Sequence, residues 1–261
     1  MYSIGVDIGS TCAKLAVLED GHTLVHHMLM PTGWSSGETA QAIYAHLEAQ
    51  GYCPDGLPCV ATGYGRLNVP YAQKTVTEIT CHARGSGFLF GTEPCVILDI
   101  GGQDTKVIAM ADGMVQDFLM NDKCSAGTGR FLEIMANTLC VDPGRLCELA
   151  RSGSGVSISS MCTVFAESEV ISLIGSGTAK EDIAYGIIES IVNKVASQYG
   201  KLSASNLPCY LTGGLCESAY ILESLSKKLG TTVRSAPLAR YAGAIGAALT
   251  ACTIGRQEKT R

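Results

Sequence analysis

The chain has 261 residues, 46% of them hydrophobic and 16% charged, with a formal charge of −5. That length suits one large domain or two ordinary ones around a substantial core, and the composition is too apolar for a disordered chain. An acidic balance, with no Lys/Arg run before the tail that carries Arg256, Lys259 and Arg261, excludes a binder of phosphate backbones, so no nucleic-acid partner is expected.

In chain order, an apolar run reaches Asp7 and a Gly9-Ser10-Thr11 turn, and a second apolar run leads to Asp20-Gly21, a two-residue hairpin signal. The window 36–50 carries apolar residues at helical spacing before a Gly-Tyr-Cys-Pro break. A strand-like Cys59-Val60-Ala61 precedes the turn Thr62-Gly63-Tyr64-Gly65-Arg66, and 75–90 reads as a helix. An ungapped offset of 92 residues then repeats the opening: Asp7-Ile8-Gly9 falls on Asp99-Ile100-Gly101, Lys14 on Lys106, and Asp20-Gly21 on Asp112-Gly113, six identities over fifteen positions. Each copy is expected to be two antiparallel strands around a glycine loop whose N–H groups can approach an anion, and two facing loops would clamp a polyphosphate. Helices follow at 129–139, 163–174 and 183–199, a strand at 208–212 runs into Gly213-Gly214, and a small-residue helix spans 241–251.

The fold class is therefore α/β, with a boundary near Gly91–Pro94 and lobes 1–93 and 94–261, the last helix being free to pack back on the first lobe. The N-terminal residues lack the basic and apolar regions of a secretion signal, and the charge-free stretch 241–255 falls short of the roughly 20 apolar residues that span a bilayer. A cytoplasmic protein without a membrane partner is expected, most of its twelve cysteines reduced and packed as small hydrophobes.

The glycine segments 7–11, 99–104 and 211–215 resemble the two phosphate motifs and the adenosine motif of the actin, sugar-kinase and heat-shock-chaperone ATPase superfamily. More narrowly, Ala61-Thr62-Gly63-Tyr64-Gly65-Arg66, Asp99-Ile100-Gly101-Gly102-Gln103-Asp104, the segment 121–131 around Cys124 and the segment 162–170 around Cys162 resemble the ATP-dependent activators of 2-hydroxyacyl-CoA dehydratases, of the BadF/BadG/BcrA/BcrD type. The resemblance covers nearly the whole chain and implies two duplicated actin/ribonuclease-H-like lobes with a nucleotide cleft between them. It implies a homodimer with one [4Fe–4S] cluster bridging the subunits. ATP then drives an electron from a ferredoxin or flavodoxin into an acceptor iron–sulfur protein, a dehydratase or a double-cubane protein, in an anaerobic metabolism. Benzoyl-CoA-reductase ATPase subunits are close relatives of the same kind.

Carried onto this sequence, Gly9, Ser10 and Thr11 hold the phosphates of ATP or ADP from one side, Gly101, Gly102 and Gln103 from the other, and Gly213 and Gly214 pass against the adenosine. Asp7 and Asp99 are the acids expected to place Mg²⁺, and Gln103 or Asp104 to orient the attacking water. Lys14 and Lys106 read equally as phosphate contacts or as solvated strand residues, and Glu78 as a linker-helix acid or a solvated one.

No C-x-x-C occurs, which disfavours a self-contained metal site. Cys124 and Cys162 stand ahead of predicted helices, whose N–H groups stabilise thiolate charge. They are half of the Cys₄ set of a cubane cluster, and a two-fold dimer supplies the other half. The other ten cysteines are expected to be packed. The five histidines show no zinc or triad spacing, and a surface role is expected for most. ATP closing the lobes would move the helices after Cys124 and Cys162. A cluster-free small-molecule kinase and a nucleotide-gated binding module are the readings of other classes.

Overall fold

The computed structural model describes residues 1–159, 162–202 and 207–258, so Lys259 and Arg261 of the basic tail lie outside the described residues. The chain divides into two compact units, Met1–Pro94 with Met110–Gln116 and Leu238–Arg261, and Cys95–Ala109 with Asp117–Pro237. Up to Phe90 the elements are β1 (Tyr2–Ile8), β2 (Cys12–Glu19), β3 (Thr23–Pro31), α1 (Ser36–Ala49), β4 (Cys59–Thr62), β5 (Lys74–Thr75) and α2 (Glu78–Phe90). There follow β6 (Cys95–Ile100), β7 (Thr105–Ala111), β8 (Met114–Asn121), α3 (Gly129–Thr138), α4 (Pro143–Ala150) and α5 (Thr163–Gly175). The chain continues with α6 (Lys180–Tyr199), β9 (Cys209–Gly213), α7 (Ala219–Leu229), β10 (Val233–Arg234) and α8 (Ala242–Glu258).

In the first unit the strand order is β3-β2-β1-β4-β5. β1 pairs antiparallel with β2, Asp7 opposite Lys14, and parallel with β4, Asp7 opposite Thr62. Period-2 alternation divides β2 between two layers: Leu15 and Val17 pack under α1 with Ile43 and Leu47, while Ala16 and Leu18 meet Ala244, Ile245 and Ala248 of α8. Asp20 at φ 53° and Gly21 at φ 77° make the left-handed turn into β3, a third strand beyond the two-stranded unit expected from the repeat. α2 begins at Glu78, later than the expected 75, because Lys74–Thr75 pair with β4 and Thr77 caps the helix, its hydroxyl accepting from the Thr80 N–H at 3.4 Å.

The second sheet has the order β10-β9-β6-β7-β8, with β6 parallel to β9 and Asp99 opposite Thr212. Asp112 at φ 54° and Gly113 at φ 68° repeat the turn of the first unit. Ile183, Ile187, Ile191 and Val195 form the buried stripe of α6. Two short helices outside the expected set are announced by their caps. Asp142 accepts from Arg145 N–H at 2.9 Å with Pro143 at the first turn of α4, and α7 runs from the Ser218 cap to left-handed Gly230. The architecture is the duplicated α/β one expected. Among the described residues no helix is long and apolar enough to cross a membrane.

α8 belongs to the first unit through backbone contact. A Cβ on Gly246 would collide with the Cys81 carbonyl, one on Gly85 with the Ala242 carbonyl, and one on Gly5 with the Ala244 carbonyl. Three elements approach closely because each lacks a side chain at the crossing. Gly246→Val is expected to cost at least ~3 kcal/mol, a fall of about 5–10 °C in Tm by calorimetry. Gly56→Ala, where a Cβ meets nothing within 4 Å, serves as the control and should stay within ~0.5 kcal/mol of the parent.

Candidate functional site

In the first unit Asp7 is the last residue but one of β1, 4% exposed, with Lys14 Nζ 3.7 Å from its Oδ2. The loop Gly9-Ser10-Thr11 is closed by Gly9 N–H donating to the Cys12 carbonyl at 3.1 Å. Thr32 pins it from the side: its hydroxyl donates to the Gly9 carbonyl at 2.7 Å and its N–H to the Thr11 carbonyl at 2.9 Å. A Cβ on Gly243 of α8 would stand 2.6 Å from Asp7 Oδ2 and 3.2 Å from His82 Nε2, so acid and imidazole converge there. His82 is 6% exposed, a buried site residue where a surface role was expected of most histidines, and burial pushes the neighbouring Cys81 thiol up to about 11. Glu78 is half-buried in the first turn of α2.

In the second unit Asp99 is 2% exposed, and Thr212 of β9 donates to its Oδ1 at 2.8 Å. Lys106 is not the solvated strand residue that was one of its two expected readings. It is 1% exposed, its Nζ 3.2 Å from Asp99 Oδ2 and 2.6 Å from Asp104 Oδ2. Gly101 N–H donates to the Asp104 carbonyl at 2.9 Å, closing the Gly101-Gly102-Gln103 loop as Gly9 closes the first. Gly213 has φ 87°, and a Cβ there would strike the Ile100 carbonyl and lie 2.9 Å from Asp99 Oδ1, while Gly214 N–H donates to Ile100 at 3.1 Å.

The duplication runs further than the offset of 92 reveals. Gly63, φ 90°, presses on the Ile8 carbonyl and Asp7 Oδ1 as Gly213 presses on Ile100 and Asp99, each glycine following a threonine level with the acid. The missed signal was the dipeptide Thr-Gly after a short apolar run, present at 62–63 and 212–213. Only Gly or a strained residue takes φ near +90° there, and the absent side chain leaves room for the acid.

The two cysteines singled out are brought close in the second unit. Cys124 is half-buried and Cys162 is exposed at the N-cap of α5, and the residues after them are joined by a Ser125 Oγ to Thr163 Oγ1 hydrogen bond of 2.7 Å. A continuous set of hydrogen bonds leads from there to the Gly101-Gly102-Gln103 loop. Thr128 Oγ1 donates to the Ser125 carbonyl at 2.5 Å, Thr105 Oγ1 to the Gly127 carbonyl at 2.9 Å, and Gly129 and Arg130 N–H to the Gly101 and Gly102 carbonyls at 2.9 and 2.8 Å. Seven other cysteines are buried and Cys12 is half-buried, but Cys53 and Cys140 are exposed rather than packed. Burial raises the thiol of Cys59 to about 12.

Two such duplicated sheets, each ending an acid-bearing strand in a glycine loop, define an actin-like ATPase fold. A ROK family glucokinase from Streptomyces griseus shares it with a TM-score of 0.61 at 15% identity, covering 98% of this chain and all of that one. The chain belongs to the BadF/BadG/BcrA/BcrD ATPase family, whose profile matches residues 4–251. It is 43% identical over 252 residues to the (R)-2-hydroxyglutaryl-CoA dehydratase activating ATPase of Acidaminococcus fermentans, covering 95% of this chain and 96% of the relative. The activator of the 2-hydroxyisocaproyl-CoA dehydratase from Clostridium difficile, solved with bound ADPNP, superposes with a TM-score of 0.90 at 36% identity, covering 100% of this chain and 97% of that one.

Thr212→Val removes a donor from a buried carboxylate and is expected to cost about 1–3 kcal/mol in urea unfolding. Gly213→Ala should cost more, since it meets both an unfavourable φ and the Ile100 carbonyl.

Proposed function

We propose that the chain is an ATP-hydrolysing, homodimeric activator that passes a low-potential electron from a ferredoxin or flavodoxin to an iron–sulfur acceptor. A 2-hydroxyacyl-CoA dehydratase is the acceptor read from the relatives, and a double-cubane protein or a benzoyl-CoA-reductase-type partner satisfies the same chemistry. The observation that carries the reading is the Ser125–Thr163 bond, because it seats Cys124 and Cys162 in one hydrogen-bonded frame that begins at the phosphate loop.

The donor set suits a shared cluster. Two thiols, one exposed and one half-buried, are half of the Cys₄ set, and Cys162 stands at the N-cap of α5, where a helix favours thiolate charge. A [4Fe–4S] cluster held by Cys124 and Cys162 of two copies supplies one-electron chemistry. Next to Cys162, Val164 and Phe165 are each 67% exposed and Ile171 is 56% exposed, an apolar surface that supports pairing with a second copy. An exposed cluster of this kind would be destroyed by oxygen, which fits an anaerobic metabolism.

Gly9, Ser10, Thr11 and Lys14 bind phosphate in the first unit, Gly101 and Gly102 in the second, and Gly213-Gly214 meets the adenosine. The buried carboxylates Asp7 and Asp99 are the anchors for hydrated Mg²⁺. Engagement of Gly101 and Gly102 by phosphate redirects the carbonyls that cap α3, and the shift reaches Ser125 and Thr163 through Thr128.

Protein purified anaerobically is expected to hold about two irons per chain, with matching sulfide, and to lose both in Cys124→Ser and in Cys162→Ser. Iron-free protein that still hydrolyses ATP overturns the reading in favour of a kinase or a binding module. Ser125→Ala with Thr163→Val should keep the iron yet lose the ATP-dependent shift in reduction potential, measured by titration with and without an ATP analogue.

A further inference from the structure

Among the described residues Lys106 is one of the largest side chains that are fully buried, and the repeat does not account for it. Its counterpart Lys14 keeps 19% of its side chain exposed and stands 3.7 Å from Asp7, against 2% and 3.2 Å for Lys106 and Asp99. The difference lies at the loop position where the first copy has Cys12 and the second has Asp104. Asp104 Oδ2 approaches Lys106 Nζ to 2.6 Å, so one ammonium serves two carboxylates. Thr212 holds the remaining Asp99 oxygen at 2.8 Å, and the Asp104 backbone carbonyl is held by Gly101 N–H at 2.9 Å. Between Gly102 and the pinned Asp104 stands Gln103, exposed, its side chain making no hydrogen bond among the described residues.

We propose that Lys106 is the positioning residue of the second phosphate loop. By pinning Asp99 and Asp104 it presents Gln103, and not Asp104, to the water that attacks ATP. The inference rests on the nucleotide half of the function proposed above. In the reaction the water oxygen bonds to the γ-phosphorus, the β–γ bridging P–O bond breaks with its electron pair leaving on ADP, and the water's proton passes to phosphate and solvent. A carboxamide accepts a hydrogen bond from water without taking the proton, so Gln103 orients and does not act as base. For Asp104 to do the same it would have to give up the shorter of the two ion pairs of an ammonium that is almost fully buried. Lys106 also halves the negative charge that the two acids would otherwise present to a triphosphate.

The test uses the full chain with Gln103→Ala, Asp104→Asn, Lys106→Met and the double variant Lys106→Met/Asp104→Asn. Steady-state ATP hydrolysis, binding of a non-hydrolysable ATP analogue and Tm are measured on each. Gln103→Ala should lower kcat about a hundredfold with analogue affinity within about threefold, and Asp104→Asn should change kcat less than about fivefold. Lys106→Met should lower kcat at saturating nucleotide at least about tenfold, weaken analogue binding at least about tenfold and lower Tm by about 10 °C, and the double variant should recover part of the affinity and Tm, because only Asp99 is then left without its counter-charge. A hundredfold loss of kcat in Asp104→Asn with Gln103→Ala near wild type overturns the assignment, as does a Lys106→Met protein of unchanged affinity and Tm. Iron and acceptor enter none of these readouts, so a failure of the electron-transfer reading shows separately. A wild-type chain that binds no analogue overturns the nucleotide reading and this inference with it, before any variant is compared.

Discussion

A carboxylate taken out of water at the end of a central strand is tolerable only when donors and a counter-charge surround it. Asp99 meets that condition with Thr212 on one oxygen and Lys106 on the other, and much of the second unit follows from it. Thr212 must lie level with the acid, which requires β9 to run parallel beside β6. Glycine must follow Thr212, because the next Cβ would occupy the space of the acid and of the Ile100 carbonyl. Lys106 must come back along β7 on the same face, which fixes the length of the turn between the two strands.

The first unit solves the same problem with weaker electrostatics. Lys14 is farther from Asp7 and partly wet, and position 12 offers a thiol in place of a second acid. Close packing does more of the work there. Gly63 and Gly243 bring backbone against the carboxylate from two sides, and His82 arrives from α2. The glycines by which α8 meets β1 and α2 therefore bear on stability and on the acid together.

The Gly101-Gly102-Gln103 loop is also tied to the rest of its unit by backbone groups that carry no sequence signature. The first N–H groups of α3 would be orphans at a helix start, and the carbonyls of Gly101 and Gly102 satisfy them. The loop and the helix are thus a single object, and the segment carrying Cys124 hangs from its front edge. The Ser125–Thr163 bond brings α5 into the same frame.

The duplicated strand–loop–strand units, the two acids and the main helices were legible in the sequence because each rests on local periodicity or on an identity repeated at one spacing. Motif alone singled out Cys124 and Cys162, and the fold joins the residues that follow them. α4 and α7 were passed over because they are short and announced only by their caps, and β5 because two residues make a strand only when β4 lies beside them. His82 and Lys106 could not be placed from sequence. Burial of a charged or titratable side chain depends on partners contributed by residues distant in the chain or folded back across a turn. Asp104 and Lys106 are two positions apart, yet nothing in that spacing says that the ammonium turns inward to a second acid on the neighbouring strand. Sequence by itself determined which chemistry the chain carries, through residue types and their repeats; tertiary structure decided which of those groups are held and which are left to act, since that depends on where each charge can be desolvated and paired.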